Sequence, residues 1–392
     1  MSRLPRPVKL FGFVSLLNDF ASEMIYPLLP AFVTGVLGGG AVSLGALDGA
    51  ADFAAAVVKY RAGRLSDKPS RRGPLIIFGY LVAVLVRPVI AFTGAAWQVI
   101  GLRVTDRIGK GIRTPPRDAL IADVTPAELH GRAFGLQRGL DHAGAILGPL
   151  VAWWLLSSNA LDVRGVIAAS IIPGVLVLVL AIWAVGDGRR RQETAGATAP
   201  QQPLPSPTVP SRPLPPALLA IFAFYLLRMP ETLILLRTQE IGVSVASVPL
   251  LWAALHVVRS STSFVGGALS DRIGPSRTMW LGWICYAAIA MGFALAERPL
   301  EAWVLVLAFG LVAGLTESPE RALVSRLAGG KQGTGFGTYH GATGVAALIG
   351  GILLGTLFQS HSAGLSFLVS ASAATALIVV WPLVSRSTLQ AE

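Results

Sequence analysis

A single cysteine, Cys285, serves the whole chain, and it sits inside an apolar run. One thiol allows neither an intrachain disulfide nor a Cys-based metal site. Charge is also scarce. Asp, Glu, Lys and Arg make up 14% of the residues, against roughly a quarter in average soluble chains. With 53% hydrophobic residues, that shortage excludes a soluble globular protein. His142, His256 and His340 fall on three separate segments, so no metal-ligand cluster is visible and no metal is expected. There is no nucleophile–base constellation and no phosphate-binding loop; Gly109-Lys110-Gly111 lacks the required spacing. The sequence therefore implies no enzyme and no cofactor. A net charge of +11 would suit nucleic acid, but no basic stripe with interleaved aromatics lies outside the apolar segments, so no nucleic-acid partner is expected. A cleaved signal peptide is not expected either. The stretch after Arg3, Arg6 and Lys9 is too long and carries Asp19 and Glu23, so it reads as an uncleaved first membrane helix.

What is present is a series of apolar runs of membrane-spanning length. They fall at 8–36, 43–65, 74–94, 97–121, 131–156 and 165–186, and again at 215–240, 246–268, 278–296, 301–325, 334–358 and 364–384. The fold class implied is an all-α membrane protein with twelve transmembrane helices in two six-helix halves, 1–186 and 215–392. Between them, 187–214 carries Arg189-Arg190-Arg191 and a Pro/Ala/Gln/Thr tract, the composition of a linker. With a cytoplasmic N-terminus, the inner loops hold Lys68, Arg71, Arg72, Arg189, Arg190, Arg191, Arg212, Arg272, Arg277, Arg326 and Lys331. The outer loops hold only Arg164 and Arg298. The positive-inside rule then places both termini and the linker in the cytoplasm of a multi-pass inner-membrane protein.

The two halves are copies. Gly63-Arg64-Leu65-Ser66-Asp67-Lys68 returns as Gly267-Ala268-Leu269-Ser270-Asp271-Arg272. Thr114-Pro115-Pro116-Arg117 pairs with Ser318-Pro319-Glu320-Arg321, and Gly131-Arg132-Ala133-Phe134-Gly135 with Gly333-Thr334-Gly335-Phe336-Gly337. Six segments per copy make the repeats parallel. That plan places a substrate site near the midplane between them.

Charge is not spread evenly over the segments. Segments 6, 9 and 12 carry none and segment 3 only Arg87. A charge facing lipid is expensive, so every third helix belongs to a lipid-facing outer layer and the others line protein or water. Asp19 and Glu23, one turn apart, and Asp52 are the candidates for proton coupling, because alternating access would change their burial. A static ion pair with segment-4 arginines fits Asp19 and Glu23 as well. Candidates to line the substrate cavity are Asp48, Asp106, Arg107, Lys110, Arg113, Arg138, Asp141, Arg228, Glu231, His256 and Glu317. The segment-4 cations suit either an anionic substrate group or neutralisation of neighbouring acids. Arg103 is expected to order the interface of helices 1, 2 and 4, and Arg87-Pro88 to mark a bend with the guanidinium tucked inward. Small-residue runs at Gly45-Ala46, Gly49-Ala50 and 341–351 signal close helix packing. Trp97, Trp153, Trp154, Trp303 and Trp381 suit interface anchoring.

On these residues the chain resembles the major facilitator superfamily over essentially its whole length. The family's loop motif between helices 2 and 3, roughly G-x-x-x-D-[RK]-x-G-[RK]-[RK], is matched by Gly63, Asp67, Lys68, Arg71 and Arg72, with Ser70 in place of the second glycine. The second copy keeps Gly267, Asp271, Arg272 and Gly274. The resemblance implies a gating role for these positions, a charge-relay lock between helix ends; helix capping and topology account for them as well. Arg103 matches the arginine of the family's helix-4 motif, although Asp106-Arg107 replaces the following Gln-Gly. Gly144 to Pro149 resembles the helix-5 motif of antiporters, which gives Gly148 and Pro149 a structural role. The stretch Asp106 to Asp123 is similar to a prokaryotic exporter-like subgroup. The resemblance thus implies a secondary transporter, acting as a monomer in the lipid bilayer, that exchanges protons for a small polar or amphipathic molecule. Proton-linked uptake of an organic anion is the alternative within transport. A sensor on a transporter scaffold would want a soluble domain, and 187–214 is too short to supply one.

Overall fold

The computed structural model describes residues 4–66, 69–125, 130–196, 216–328 and 332–389, and among them there is no strand. Helix is what a bilayer demands, since every backbone N–H and C=O must be satisfied within its own segment. The chain opens with α1 (Arg6–Glu23), followed by a 3-10 turn at Tyr26–Leu28, the single turn α2 (Leu29–Ala31) and a π-helical turn at Phe32–Val36. Then come α3 (Ala41–Leu65), α4 (Pro69–Val89), α5 (Ala96–Asp123), α6 (His130–Ser157), α7 (Val163–Ala169) and α8 (Ile171–Gly196). The second repeat contains α9 (Pro216–Leu227), α10 (Glu231–Glu240), α11 (Val248–Ile273), α12 (Pro275–Leu295), α13 (Pro299–Ala328), α14 (Gln332–Ser360) and α15 (Ala363–Leu389). Grouped by the apolar runs, these make the twelve spans. Among the described residues, nine are long and apolar enough by themselves to cross a membrane. The other three are the broken first segment and the charge-bearing α5 and α11.

Three boundaries differ from the sequence reading. The first segment, expected as one helix, stops at Glu23 and continues as short turns through Pro27 and Pro30. The seventh, also expected to be continuous, is interrupted at Arg228–Pro230. Proline has no N–H to donate and pushes the preceding residue out of the α region, which explains a break just before Pro230. The first ten residues assigned to the linker instead continue α8 to Gly196. The two breaks fall at matching places in the repeats, offset as Gly63 is from Gly267.

The chain forms two compact units, residues 1–28 with 54–205 and residues 29–53 with 206–392. In the first, α1, α4, α5, α6 and α8 enclose a core that includes Phe11, Val14, Ile76, Tyr80, Ile121 and Ala181. Small residues bring the helices close. A Cβ on Gly148 would overlap the backbone of Phe20, and one on Gly79 would come within 2.6 Å of the Gly109 carbonyl. Pro149 lies within α6. In the second unit, Trp283 stacks on Phe224 and meets Trp381 edge-on. Trp381 is therefore buried rather than an interface anchor, whereas Trp97 and Trp154 are exposed as expected. Gly45 and Gly351 face each other with no room for a Cβ on either. Gly274, at φ +89°, makes the sharp corner between α11 and α12.

Candidate functional site

In the first unit α5 carries the charge. Its contact with α4 across Gly79 and Gly109 sets Arg87 beside Asp106, where the Arg87 Nε–H donates to the carboxylate at 2.9 Å. A second Arg87 N–H donates to the Asn18 carbonyl at 2.9 Å. Arg103, one turn before Asp106, lies 3.5 Å from its other oxygen and stacks on Tyr26. Arg113 donates to the Asn18 amide oxygen at 3.0 Å and covers the Tyr80 ring. Arg87, Arg103, Asp106 and Arg113 are all buried. The structure thus makes Asp106 and Arg113, expected to line the cavity, parts of a polar bolt that ties α1, α4 and α5 together. Arg103 joins the bolt through Asp106 and reaches Tyr26 of the first segment, so the third segment, α4, stands in this interface where the second, α3, was expected. Asn18 is the member that sequence reasoning missed; its signal was a polar residue immediately before Asp19 in an apolar run.

Asp19 is half-buried and accepts a hydrogen bond from Asn18 at 2.9 Å. Lys110 of α5 and Asp141 of α6 lie within electrostatic range of it. Glu23 closes α1 and is within range of Arg103. Arg107 is half-buried, and Asp52 and Arg138 are exposed. Asp19, Lys110 and Asp141 thus form the titratable group of the first unit, drawn from three helices.

In the second unit the helix break is the organising feature. Asp48 of α3 accepts from the backbone N–H of Thr232 at 3.1 Å and from its hydroxyl at 2.8 Å. It therefore caps the freed N-terminus of α10, where a carboxylate meets the positive end of the helix dipole. Glu231, in the same turn, pairs with Arg259 of α11 and lies 3.8 Å from Arg228. Both guanidiniums lie over the Phe309 ring, Arg228 also over Tyr225 and Arg259 over Trp252, which His256 meets edge-on. This cluster of cation–π pairs gathers Arg228, Glu231 and His256, and adds Arg259, Trp252 and Phe309 to them. Glu317 is exposed.

Of the loop positions, Asp67 and Lys68 lie outside the described residues, as does the side chain of Asp271. Arg72 donates to the Ser66 carbonyl at 2.9 Å and pairs with Asp123 at the end of α5, which also accepts from Gln192 of α8 at 2.8 Å. Arg71 and Arg272 are exposed, and Gly63 and Gly267 have open space where a Cβ would stand. Among the described residues no three His, Cys, Asp or Glu side chains are grouped to hold a metal ion.

Comparison with known proteins places this geometry. The Major Facilitator Superfamily model matches residues 11–340 and 217–391. An uncharacterized MFS-type transporter of Methanocaldococcus jannaschii is 29% identical over 376 residues, 91% of this chain and 89% of that protein. The class H tetracycline resistance protein of Pasteurella multocida is 26% identical over 312 residues, 76% of this chain and 74% of that one. In fold, the crystal structure of the nucleoside transporter NupG superposes with a TM-score of 0.72 at 12% identity, covering 97% of this chain and 99% of that one. The chain belongs to the Major Facilitator Superfamily and is a multi-pass membrane transporter of small molecules.

Proposed function

We propose that the protein works by alternating access in the inner membrane, taking in protons and expelling a small polar or amphipathic compound. The observation that carries this reading is Asp19. Its carboxylate is half-buried on a membrane helix, with one amide donor and no ion-pair partner among the described residues, beside Lys110 and Asp141. A carboxyl so placed takes up a proton when water withdraws and releases it when water returns. Glu23, one turn further along α1, and Asp52 of α3 are the further proton carriers in this reading. The tetracycline resistance relative supports the outward direction. The cytoplasmic termini follow from the loop charges, and the loop motif around Asp67 and Asp271 supplies the cytoplasmic gate. The half-buried Arg107 and Lys110 favour one variant of this reading, in which the substrate bears an anionic group.

The test is transport into proteoliposomes under an imposed pH gradient, with tetracycline and ethidium as probes. In the variant combining Asp19→Asn with Glu23→Gln, gradient-driven accumulation is expected to fall about a hundredfold or more, the scale of losing a proton-transfer group. Undiminished accumulation would remove these two residues from the coupling step.

A further inference from the structure

The second unit contains a carboxyl that the mechanism above leaves unused. Glu320 of α13 is fully buried. Two other acids in protein interior are neutralised by arginines, Asp106 by Arg87 and Arg103, Glu231 by Arg259 and Arg228. Glu320 has no such partner among the described residues. One of its oxygens, Oε2, accepts from the hydroxyls of Tyr339 at 2.8 Å and Tyr225 at 3.1 Å. The other, Oε1, is buried with no hydrogen-bond partner. A carboxyl surrounded by neutral donors and shut off from water is better held as the acid than as the ion.

We propose that Glu320 is a proton-binding site of the second repeat, read by the tyrosyl pair of α9 and α14. With the site buried, the carboxyl is neutral: its Oε2 carbonyl fills both lone pairs with tyrosyl O–H groups, and Oε1 carries the proton. When water reaches the site, the Oε1–H bond breaks and the proton leaves to water. The carboxylate that remains keeps its two tyrosyl donors. The surrounding charges suit a single exchangeable proton. Arg228, one turn from Tyr225, is already shared with Glu231, which Arg259 also holds. Glu317, one turn back on α13, is exposed and lies within electrostatic range of Glu320, Arg228 and Arg259, and Arg321 is exposed. Tyr286 of α12 is engaged by Ser370 and by the Met229 N–H, and His340 adjoins Tyr339 on α14. The site belongs to the second repeat alone, because Pro116 occupies the matching position in the first. It rests on the proton-coupled reading only for its role in transport; binding of the proton is measurable without it.

The experiment is an infrared pH titration of the full-length protein in proteoliposomes, comparing wild type, Glu320→Gln and Glu317→Gln. The wild-type spectrum minus that of Glu320→Gln should contain a carboxylic-acid carbonyl band that bleaches as pH rises, and the Glu317→Gln spectrum minus that of Glu320→Gln should contain the same band. The double variant Tyr225→Phe with Tyr339→Phe should retain the band at a shifted frequency. The Gln variant preserves the acceptor for both tyrosines, and an unchanged melting temperature certifies its fold. Absence of the band from either difference spectrum overturns the proposal. Tetracycline transport on the same vesicles separates the two readings. A wild type whose transport ignores the gradient while the band titrates defeats the coupling reading and leaves the proton site standing.

Discussion

At the scale of the residue, the protein holds buried charge by two methods. Arg87, Arg103 and Asp106 neutralise one another, with Asn18 supplying two further acceptors through its carbonyl and its amide oxygen. Removing one member of such a group strands the others, and the general scale for breaking a buried pair is about 3–5 kcal/mol. Asp106→Asn leaves two guanidiniums without their counter-ion and is expected to lower stability by an amount of that order. Replacing the pair together, Arg87→Met with Asp106→Leu, removes the ions along with their desolvation. That double variant should be more stable than Asp106→Asn. Thermal unfolding in detergent, followed by tryptophan fluorescence, checks both orders. Equal melting temperatures for Asp106→Asn and the exposed-site control Arg71→Ala would show that the bolt bears no load.

At the scale of the element, close approach and interruption decide where the side chains go. Gly45 of α3 touches Gly351 of α14 backbone to backbone, Gly49 approaches Leu348, and Gly355 approaches Ala41. The small-residue runs in the sequence point to this contact, because only glycine and alanine let helix backbones meet. Gly45→Val puts a branched side chain into the Gly351 carbonyl, and overpacking of that kind costs roughly 1–3 kcal/mol. The two helices should separate, so a cysteine introduced as Val42→Cys in a Cys285→Ser background should be alkylated faster when Gly45→Val is added. An unchanged rate would mean that the contact does not hold the pair. Other features were less legible. The breaks after Glu23 and before Pro230 were hidden because the apolar run resumes beyond each of them, although Pro27, Pro30 and Pro230 are plain in the sequence. Trp381 sits near a helix end, as an interface anchor would, but the ring of Trp283 covers it. Glu320 stayed hidden for a geometric reason. Glu317, Glu320 and Arg321 spread charge around α13, and only packing against Tyr225 and Tyr339 shows which of them turns inward.

At the scale of the whole molecule, the distribution of basic residues predicts how the chain lies in the bilayer, and with it which face carries the loop motif. Eleven basic residues lie between the apolar runs on the side expected to be cytoplasmic, against Arg164 and Arg298 on the side expected to be outside. Arg164 donates to the carbonyls of Ala91 and Thr93, which fixes its guanidinium and leaves the charge in place. The helix α8, without a charge through its apolar stretch, exposes Ile172, Val175, Leu176, Ile182 and Trp183, whereas the equally uncharged span of α12 is half buried. Retention of the basic side in the cytoplasm predicts opposite accessibilities for two engineered cysteines in a Cys285→Ser background. Asn159→Cys, in the tight outer loop between α6 and α7 where Asn159 adopts φ +55°, should react with a membrane-impermeant maleimide in intact spheroplasts. Gln201→Cys, in the segment joining the repeats, should react only after the membrane is opened. The labelling fixes which face carries the gate motif. The direction of exchange is set by the gradient: one that is acidic outside drives protons inward and, in an antiporter, substrate outward in either orientation. The reverse labelling pattern would put the motif of Asp67 and Asp271 on the outer face and overturn the cytoplasmic gate.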